Sequence, residues 1–350
     1  MVDFIEDKNL FKDHAKVIFD FRKDDEARTQ WLANRTNSIG GSEIAKIAGY
    51  SHYGSALTVY NDKMGISEKF KGNIHTKFGN RMEPLIREWV QEDFKNITGI
   101  ELITYEYPFT MVSKDYDFLS ANIDGLAKIH DNYRYYENGD TGEIKEIPKD
   151  ELIGIEIKTA GEFMKKMWAG EEIPDEYYCQ CQWYMGITGL KYFLIIYLLG
   201  KEVKWKVIPR NDDDIKMLFK MGIDFWNNNF LAGMPPEPTG LKCETNEILY
   251  QQALSDNLDE SISDNKLLQY KDTSEKIKEL EKQKEQLKQL IFLDLGNSKE
   301  GTDGHFKVKR FEVSKPKIDT KLLKEKYPKT YQDVFKGDTK FVNMRISKLK

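Results

Sequence analysis

The sequence predicts an α/β or α+β protein: a mixed central sheet flanked by helices, followed by a C-terminal appendage of helix and strand. Three observations carry this. Apolar, β-type runs recur at about 100–111, 117–130, 152–159, 191–199 and 202–209, and helix-periodic segments alternate with them. A Pro-rich stretch, MPPEPTG at 234–240, marks a boundary. Beyond it the composition turns to Lys, Glu, Gln and Leu.

Taken in order, residues 28–50 read as a helix, a Gly40-Gly41 turn and a second helix with Ser42 at its expected N-cap. Residues 78–95 predict an amphipathic helix with Met82, Leu85, Ile86, Trp89, Val90 and Phe94 on one side, and Pro84 fits its first turn. The polar insert at 131–150 reads as an exposed hairpin turning at Asn138-Gly139 or Thr141-Gly142. Helices are expected at about 174–188 and 212–231. The division expected is a core over 1–236, a helical segment over 241–298 and a basic α/β tail over 299–350. One long charged helix over 265–291 is supported by Glu→Lys pairs at 275/278, 279/282, 281/284 and 285/288. A strand at 304–313, a short helix from Leu322 to Tyr331 and a strand from Phe341 to Leu349 complete the tail.

With 350 residues, 40% hydrophobic and 12% aromatic, the chain can bury a sizeable core. Cys179, Cys181 and Cys243 are too few for a disulfide framework or a four-cysteine metal site, which fits a reducing cytoplasm. The N-terminus, MVDFIEDKNL, is acidic and lacks the pattern of a secretory signal. The longest apolar run, Tyr192 to Leu199, is too short to span a membrane and reads as a buried strand. The net charge is −5, yet residues 299–350 hold 15 Lys/Arg against 7 Asp/Glu, which leaves −13 on residues 1–298. A basic tail on an acidic body suits a local phosphate-facing surface, and equally a solvated Lys-rich one.

The chemistry concentrates in two blocks, SANIDG with Asp124-Gly125 and LIGIEIKTA with Glu156, Ile157 and Lys158. In a strand Glu156 and Lys158 point to the same face. Carboxylates gathered on one sheet repel one another unless a cation neutralises them, and oxygen ligands suit Mg²⁺ or Mn²⁺. Asp124, Glu156 and the Ile157 carbonyl are the expected ligands, and Glu83 is placed to hold a second ion or position water. Lys158 would orient the attacking water or stabilise charge growing on phosphorus. By itself the pattern also reads as a strand edge with ion pairs.

Other stretches add to it. Arg35 with Ser42 at a helix start reads as an anion site, since arginine grips phosphate bidentately, or as an ordinary N-cap beside a surface arginine. Gln180 and Gln182 sit near a helix start, about 200° apart on the helix, so one of them is expected to face the site.

In order, the blocks RTNSIGGSEIA (35–45), HYGSALTVYNDKMG (52–65), GNRMEP (79–84), ANIDG (121–125), GIEIKT (154–159) and QCQWYMGITG (180–189) resemble the YqaJ-like viral recombinase family. That is the lambda-type alkaline exonuclease branch of the PD-(D/E)xK nucleases. The resemblance covers about residues 30–236, and KPKIDTKLLKEKYPKTY (315–331) is similar to the tail of its Gram-positive phage members. It implies a restriction-endonuclease-like core and a Mg²⁺-dependent 5′→3′ exonuclease, with two ions per site, acting on double-stranded DNA ends in the bacterial cytoplasm. The 3′ single strand would pass to a phage single-strand annealing protein, and relatives form homotrimeric rings. Carried over by position, Asp124 and Glu156 match metal ligands, Lys158 the catalytic lysine and Glu83 the helix acid. Arg35, Ser42 and Gln182, with Gln180 as the lesser candidate, match the 5′-phosphate pocket. Asn122 stands where the lambda branch has a serine that contacts phosphate. The competing readings are an endonuclease of the same superfamily and a non-catalytic DNA-binding or scaffold protein of that fold.

Overall fold

The computed structural model describes residues 3–20, 35–67, 72–136, 143–160, 173–251, 262, 265–314, 316–335 and 337. The chain divides into two compact units, Met1–Ala253 and Leu254–Lys350.

The first unit is the expected mixed α/β core. Its main sheet has the order β1 (Asp3–Phe4), β3 (Leu102–Glu106), β6 (Gly125–Ile129), β9 (Leu152–Ala160), β10 (Tyr192–Leu199) and β11 (Glu202–Pro209). β9 and β10 run parallel, with Glu156 beside Ile195 and Lys158 beside Tyr197. A parallel pair needs a crossover, and the helix Asp175–Thr188 lies in that connection. β10 is buried along almost its whole length, as expected of a strand covered on both faces. A second sheet joins β2 (Ala15–Asp20), β4 (Phe109–Ser113) and β5 (Ser120–Ala121). The expected hairpin is present as β7 (Tyr133–Tyr136) and β8 (Ile144–Ile147); its proposed turns fall outside the described residues.

Two layers of core sandwich the main sheet. On one face the helix Ile74–Thr98 packs Ile86, Val90 and Phe94 against Ile153, Ile155, Ile157, Leu194 and Ile196. The alternation of a strand then sends Gly154, Glu156 and Lys158 to the other face. There the helices Gly41–Ile47, Asp175–Thr188 and Asp212–Phe225 form the second core around Ile44, Trp183, Phe193 and Leu218. Gly154 is required at its place, because a Cβ there would lie 2.2 Å from the Phe193 ring.

Several expected elements differ. The strand foreseen at 100–111 is two strands, because Tyr107-Pro108 separates β3 in the main sheet from β4 in the second. Pro108 has no N–H to continue the first ladder. Likewise the strand foreseen at 117–130 breaks at Asn122–Asp124 as the chain crosses between sheets. The helix foreseen at 78–95 begins earlier, at Ile74, where the Asn73 side chain accepts from Thr76 N at 2.9 Å. Pro84 therefore lies inside the helix rather than in its first turn, and it cannot donate to the Asn80 carbonyl. The helix over 212–231 ends in a π turn, Trp226–Leu231.

The compact division falls after Ala253, not at the Pro-rich stretch. The helix Lys242–Gln251 stays with the core because Glu244, 1% exposed, accepts from Ser55 Oγ at 2.5 Å, Gly240 N at 2.8 Å and Leu241 N at 3.0 Å.

In the second unit the long charged helix runs from Lys266 to Leu295, with the Glu285–Lys288 pair at 3.2 Å. The strand foreseen at 304–313 shortens to Lys307–Lys309, paired with Glu300–Thr302. Pro328 divides the helix foreseen at Leu322–Tyr331 into Thr320–Lys326 and Pro328–Val334. The final strand, and most of the helix expected before Gly40, lie outside the described residues. Among the described residues no helix is long and apolar enough to cross a membrane.

Candidate functional site

A cavity of about 700 Å³ opens where β6 and β9 meet the helices Gly41–Ile47, Ile74–Thr98 and Asp175–Thr188. Arg35, Ser42, Glu83, Asn122, Asp124, Glu156, Ile157, Lys158 and Gln180 all line it.

Asp124 stands just before β6, at the break between the two sheets. Its backbone N–H donates to Ile155 O at 3.2 Å, and its Oδ2 accepts from Ile157 N at 2.7 Å. One strand thus fixes both carboxylates. Burial raises the Asp124 pKa, against the pull of Lys158, the Ile157 N–H and Arg87. Glu156 is 2% exposed. Its Oε1 accepts from Lys158 Nζ at 2.5 Å and from Gln180 Nε2 at 2.7 Å. Burial first, and then Asp124, push its carboxyl up to about 8. Glu83 reaches in from the long helix, and burial followed by Asp124 lifts it to about 7. For Lys158 burial opposes the charge, but Glu156 and Asp124 outweigh it and hold the ammonium above its ordinary range.

Sequence reasoning missed Arg87. It is 2% exposed, donates from Nη1 to Glu83 Oε1 at 2.7 Å and to the Asp124 carbonyl, and so ties the helix acid to the strand acid. Its i,i+4 spacing from Glu83 was the available signal. Lys63 was missed as well. Buried at 4% exposure, it donates to Arg35 O at 3.0 Å, Ser38 O at 2.5 Å and Glu43 at 3.0 Å, and holds the segment that carries Arg35. Burial pushes its pKa down, with Glu43 opposing.

Two expected positions are corrected. Ser42 is not the N-cap. Gly40 caps the helix and Glu43 Oε2 accepts from Gly40 N at 2.9 Å, so Ser42 lies exposed in the first turn, where it lines the cavity. Gly41 permits this close approach, since a Cβ there would sit 2.5 Å from the Tyr184 ring. Gln182, preferred over Gln180 in the sequence, faces away. It is fully buried, donates to Pro209 O at 2.8 Å and accepts from Asn211 N at 2.9 Å. Gln180 is the glutamine in the cavity, as their separation around the helix allows. Asn122 lines the cavity while its amide donates to Thr110 Oγ1 at 2.9 Å.

This exchange gives a direct test. Gln182→Ala is expected to lower stability by about 1–3 kcal/mol in urea titration, because it removes a fully buried side chain together with its hydrogen bonds to the Pro209 carbonyl and the Asn211 N–H. Gln180→Ala should instead lower turnover, with the smaller stability change of the two. The reverse ranking would overturn the placement.

The residues suit a hard divalent cation. Glu156 Oε2 is buried with no hydrogen-bond partner among the described residues, beside two further carboxylates with raised pKa. Such a group costs free energy unless a cation meets it. Among the described residues no three acid, histidine or cysteine side chains are drawn together closely enough to hold a metal ion by themselves. Instead Lys158 and Arg87 bridge the acids.

Residues 30–191 match the family model of the YqaJ-like viral recombinase domain. The segment contains every cavity residue named above. The uncharacterized protein YqaJ of Bacillus subtilis (strain 168) is 28% identical over 334 residues, spanning 92% of this chain and 95% of that protein. Among solved structures, the alkaline exonuclease LHK-Exo of Laribacter hongkongensis is 17% identical with a TM-score of 0.40, covering 63% of this chain and 99% of that one. LHK-Exo in complex with dAMP is 16% identical with a TM-score of 0.41 over the same shares.

Proposed function

We propose that this chain is a metal-dependent 5′→3′ exonuclease that resects one strand of double-stranded DNA and leaves a 3′ overhang. The observation that carries the reading is one cavity holding both an acid–lysine cluster and an anion-binding group. Asp124, Glu156, Glu83 and Lys158 line it together with Arg35, Ser42 and Gln180.

Each group has a distinct task. Asp124 and Glu156, with the Ile157 carbonyl, would hold Mg²⁺ or Mn²⁺, and Glu83 would serve a second ion. When bound, the ions supply Lewis-acid stabilisation of charge on the phosphate oxygens. Lys158 remains protonated and presents its ammonium to charge developing at phosphorus or to the attacking water. Arg35 and Ser42 supply a guanidinium and a hydroxyl for a terminal 5′-phosphate. Gln180 stands between these groups and can donate to the same phosphate. An end-binding pocket next to the acids favours an exonuclease over an endonuclease. In the full reading a homotrimer encloses the duplex and a phage single-strand annealing protein takes the 3′ strand. Topological enclosure would suit an acidic chain, because processivity then needs no tight electrostatic grip.

End-labelled linear duplex with Mg²⁺ tests this. Digestion is expected from 5′-phosphorylated ends, weakly from 5′-hydroxyl ends and not on closed circles. Arg35→Ala should reduce the preference for phosphorylated ends about tenfold or more, the loss of one charge-assisted bidentate contact. Efficient cutting of closed circles would replace the reading with the endonuclease one. DNA binding without cleavage in any divalent metal would favour the scaffold reading.

A further inference from the structure

The aromatic ring of Tyr177 lies under the Lys158 ammonium, with Nζ 4.9 Å from the ring centroid. Lys158 also donates to Glu156 Oε1 at 2.5 Å and to Gln180 Oε1 at 3.1 Å. In the nuclease reading both of those partners have competing work during turnover: Glu156 ligates metal and Gln180 faces the substrate phosphate. That reading gives the ring no metal or phosphate to bind. A cation over an aromatic face is attracted by the ring quadrupole, and the attraction grows when water is excluded.

The local structure supports a fixed ring. Tyr177 sits in the first turn of the helix Asp175–Thr188, and its backbone N–H donates to Pro174 O at 2.9 Å. Gln180 follows three residues later, so one side of the helix presents both groups to Lys158. The Tyr177 hydroxyl interacts with Glu176, whose Oε2 in turn accepts from Ser51 Oγ at 3.1 Å. These contacts tie Tyr177 to the start of the helix, and the Lys158 ammonium lies over its ring.

We propose that Tyr177 is a positioning residue for Lys158, holding the ammonium in place through its aromatic face while Glu156 and Gln180 engage metal and phosphate. The proposal rests on the nuclease reading of the cavity. It concerns the face of the ring and not the hydroxyl.

The test is steady-state digestion of 5′-phosphorylated duplex by full-length variants, with kcat, KM and thermal midpoint measured together. Tyr177→Leu removes the face and is expected to lower kcat about tenfold with KM within about twofold. Tyr177→Phe keeps the face and should recover kcat to within about threefold of the starting enzyme. Tyr177→pentafluorophenylalanine keeps the shape but reverses the quadrupole, and should fall to the level of Tyr177→Leu at an unchanged thermal midpoint. This last variant decides the matter even where Tyr177→Leu unfolds. Equal kcat for Tyr177→Phe and its fluorinated analogue would overturn the proposal, as would a Tyr177→Phe as slow as Tyr177→Leu. Lys158→Ala, measured alongside, separates the two levels of inference. If Lys158→Ala cuts at the starting rate, the nuclease assignment of the lysine fails. If it is inactive and the ring variants do not differ, only the role of Tyr177 fails.

Discussion

Glu156→Ala is expected to abolish DNA cleavage, by about 10³-fold or more in kcat, while leaving DNA binding within about threefold. The carboxylate has three functions in the cavity. Its Oε2 has no protein partner among the described residues and is the atom best placed to meet a cation. Its Oε1 holds Lys158 and Gln180. When ionised it also favours the protonated Lys158 against burial. Alanine removes all three at once, whereas Arg35 and Ser42, the groups proposed to hold the DNA end, stay untouched. Binding measured in Ca²⁺ beside cleavage measured in Mg²⁺ separates the two effects. A Glu156→Ala protein that cuts at the starting rate would move the active centre elsewhere. Loss of binding in step with cleavage would show that the substitution damaged the fold.

Much of this arrangement was legible in the sequence, and the parts that were not have physical reasons. β9 and β10 were readable because their periodicity is set by burial: the alternation that places Ile153, Ile155 and Ile157 in one core requires Glu156 and Lys158 on the opposite face. Ser42 was misplaced because N-cap preferences favour serine over glycine, yet Glu43 reaching back to Gly40 N fixes the helix start two residues earlier. The choice between Gln180 and Gln182 depended on the rotation of one helix about its axis. That rotation is set by distant contacts, Gln182 with Pro209 and Asn211, which no local pattern encodes. Arg87 and Lys63 were overlooked because lysine and arginine are ordinarily surface residues. Here each is buried because it satisfies several acceptors from segments far apart in the chain. The divisions at Pro108 and Asn122 escaped notice for a similar reason. Both segments remain β-like, and only the presence of two sheets decides where one strand ends.

The charge arrangement also sets the stability of the metal-free protein. The Glu156 carboxyl rises from an ordinary 4.5 to about 8, and that of Glu83 from 4.5 to about 7. The Glu156 rise is net of the attraction of Lys158, so forcing that carboxylate to ionise in the fold costs more than the lysine returns. A carboxyl whose pKa is raised on folding holds its proton after the unfolded chain has released it. Its contribution to stability is therefore present below about pH 4.5 and declines as pH climbs through the raised value. Metal-free protein should lose stability between about pH 5 and pH 8.5 from these two groups. At about 1.4 kcal/mol per pKa unit the two shifts set a ceiling of roughly 8 kcal/mol, and because relaxation and water entry around the cavity screen the charges, an effect of about 1–3 kcal/mol is expected. Glu156→Gln keeps the Oε1 acceptor for Lys158 and Gln180 but cannot ionise. In urea unfolding without divalent metal, it should be more stable than the starting protein at pH 8.5 and nearly equal to it at pH 5. The difference between the two pH values is the informative quantity, because titration of the other carboxylates is common to both proteins. Mg²⁺ should then stabilise the starting protein at pH 8.5, through binding to the native state alone, and do so much less for Glu156→Gln. A stability gap between the two proteins that is flat from pH 5 to 8.5 would mean that Glu156 is already neutralised within the fold. In that case the cavity would hold a permanent ion pair with Lys158 instead of a carboxylate reserved for a metal.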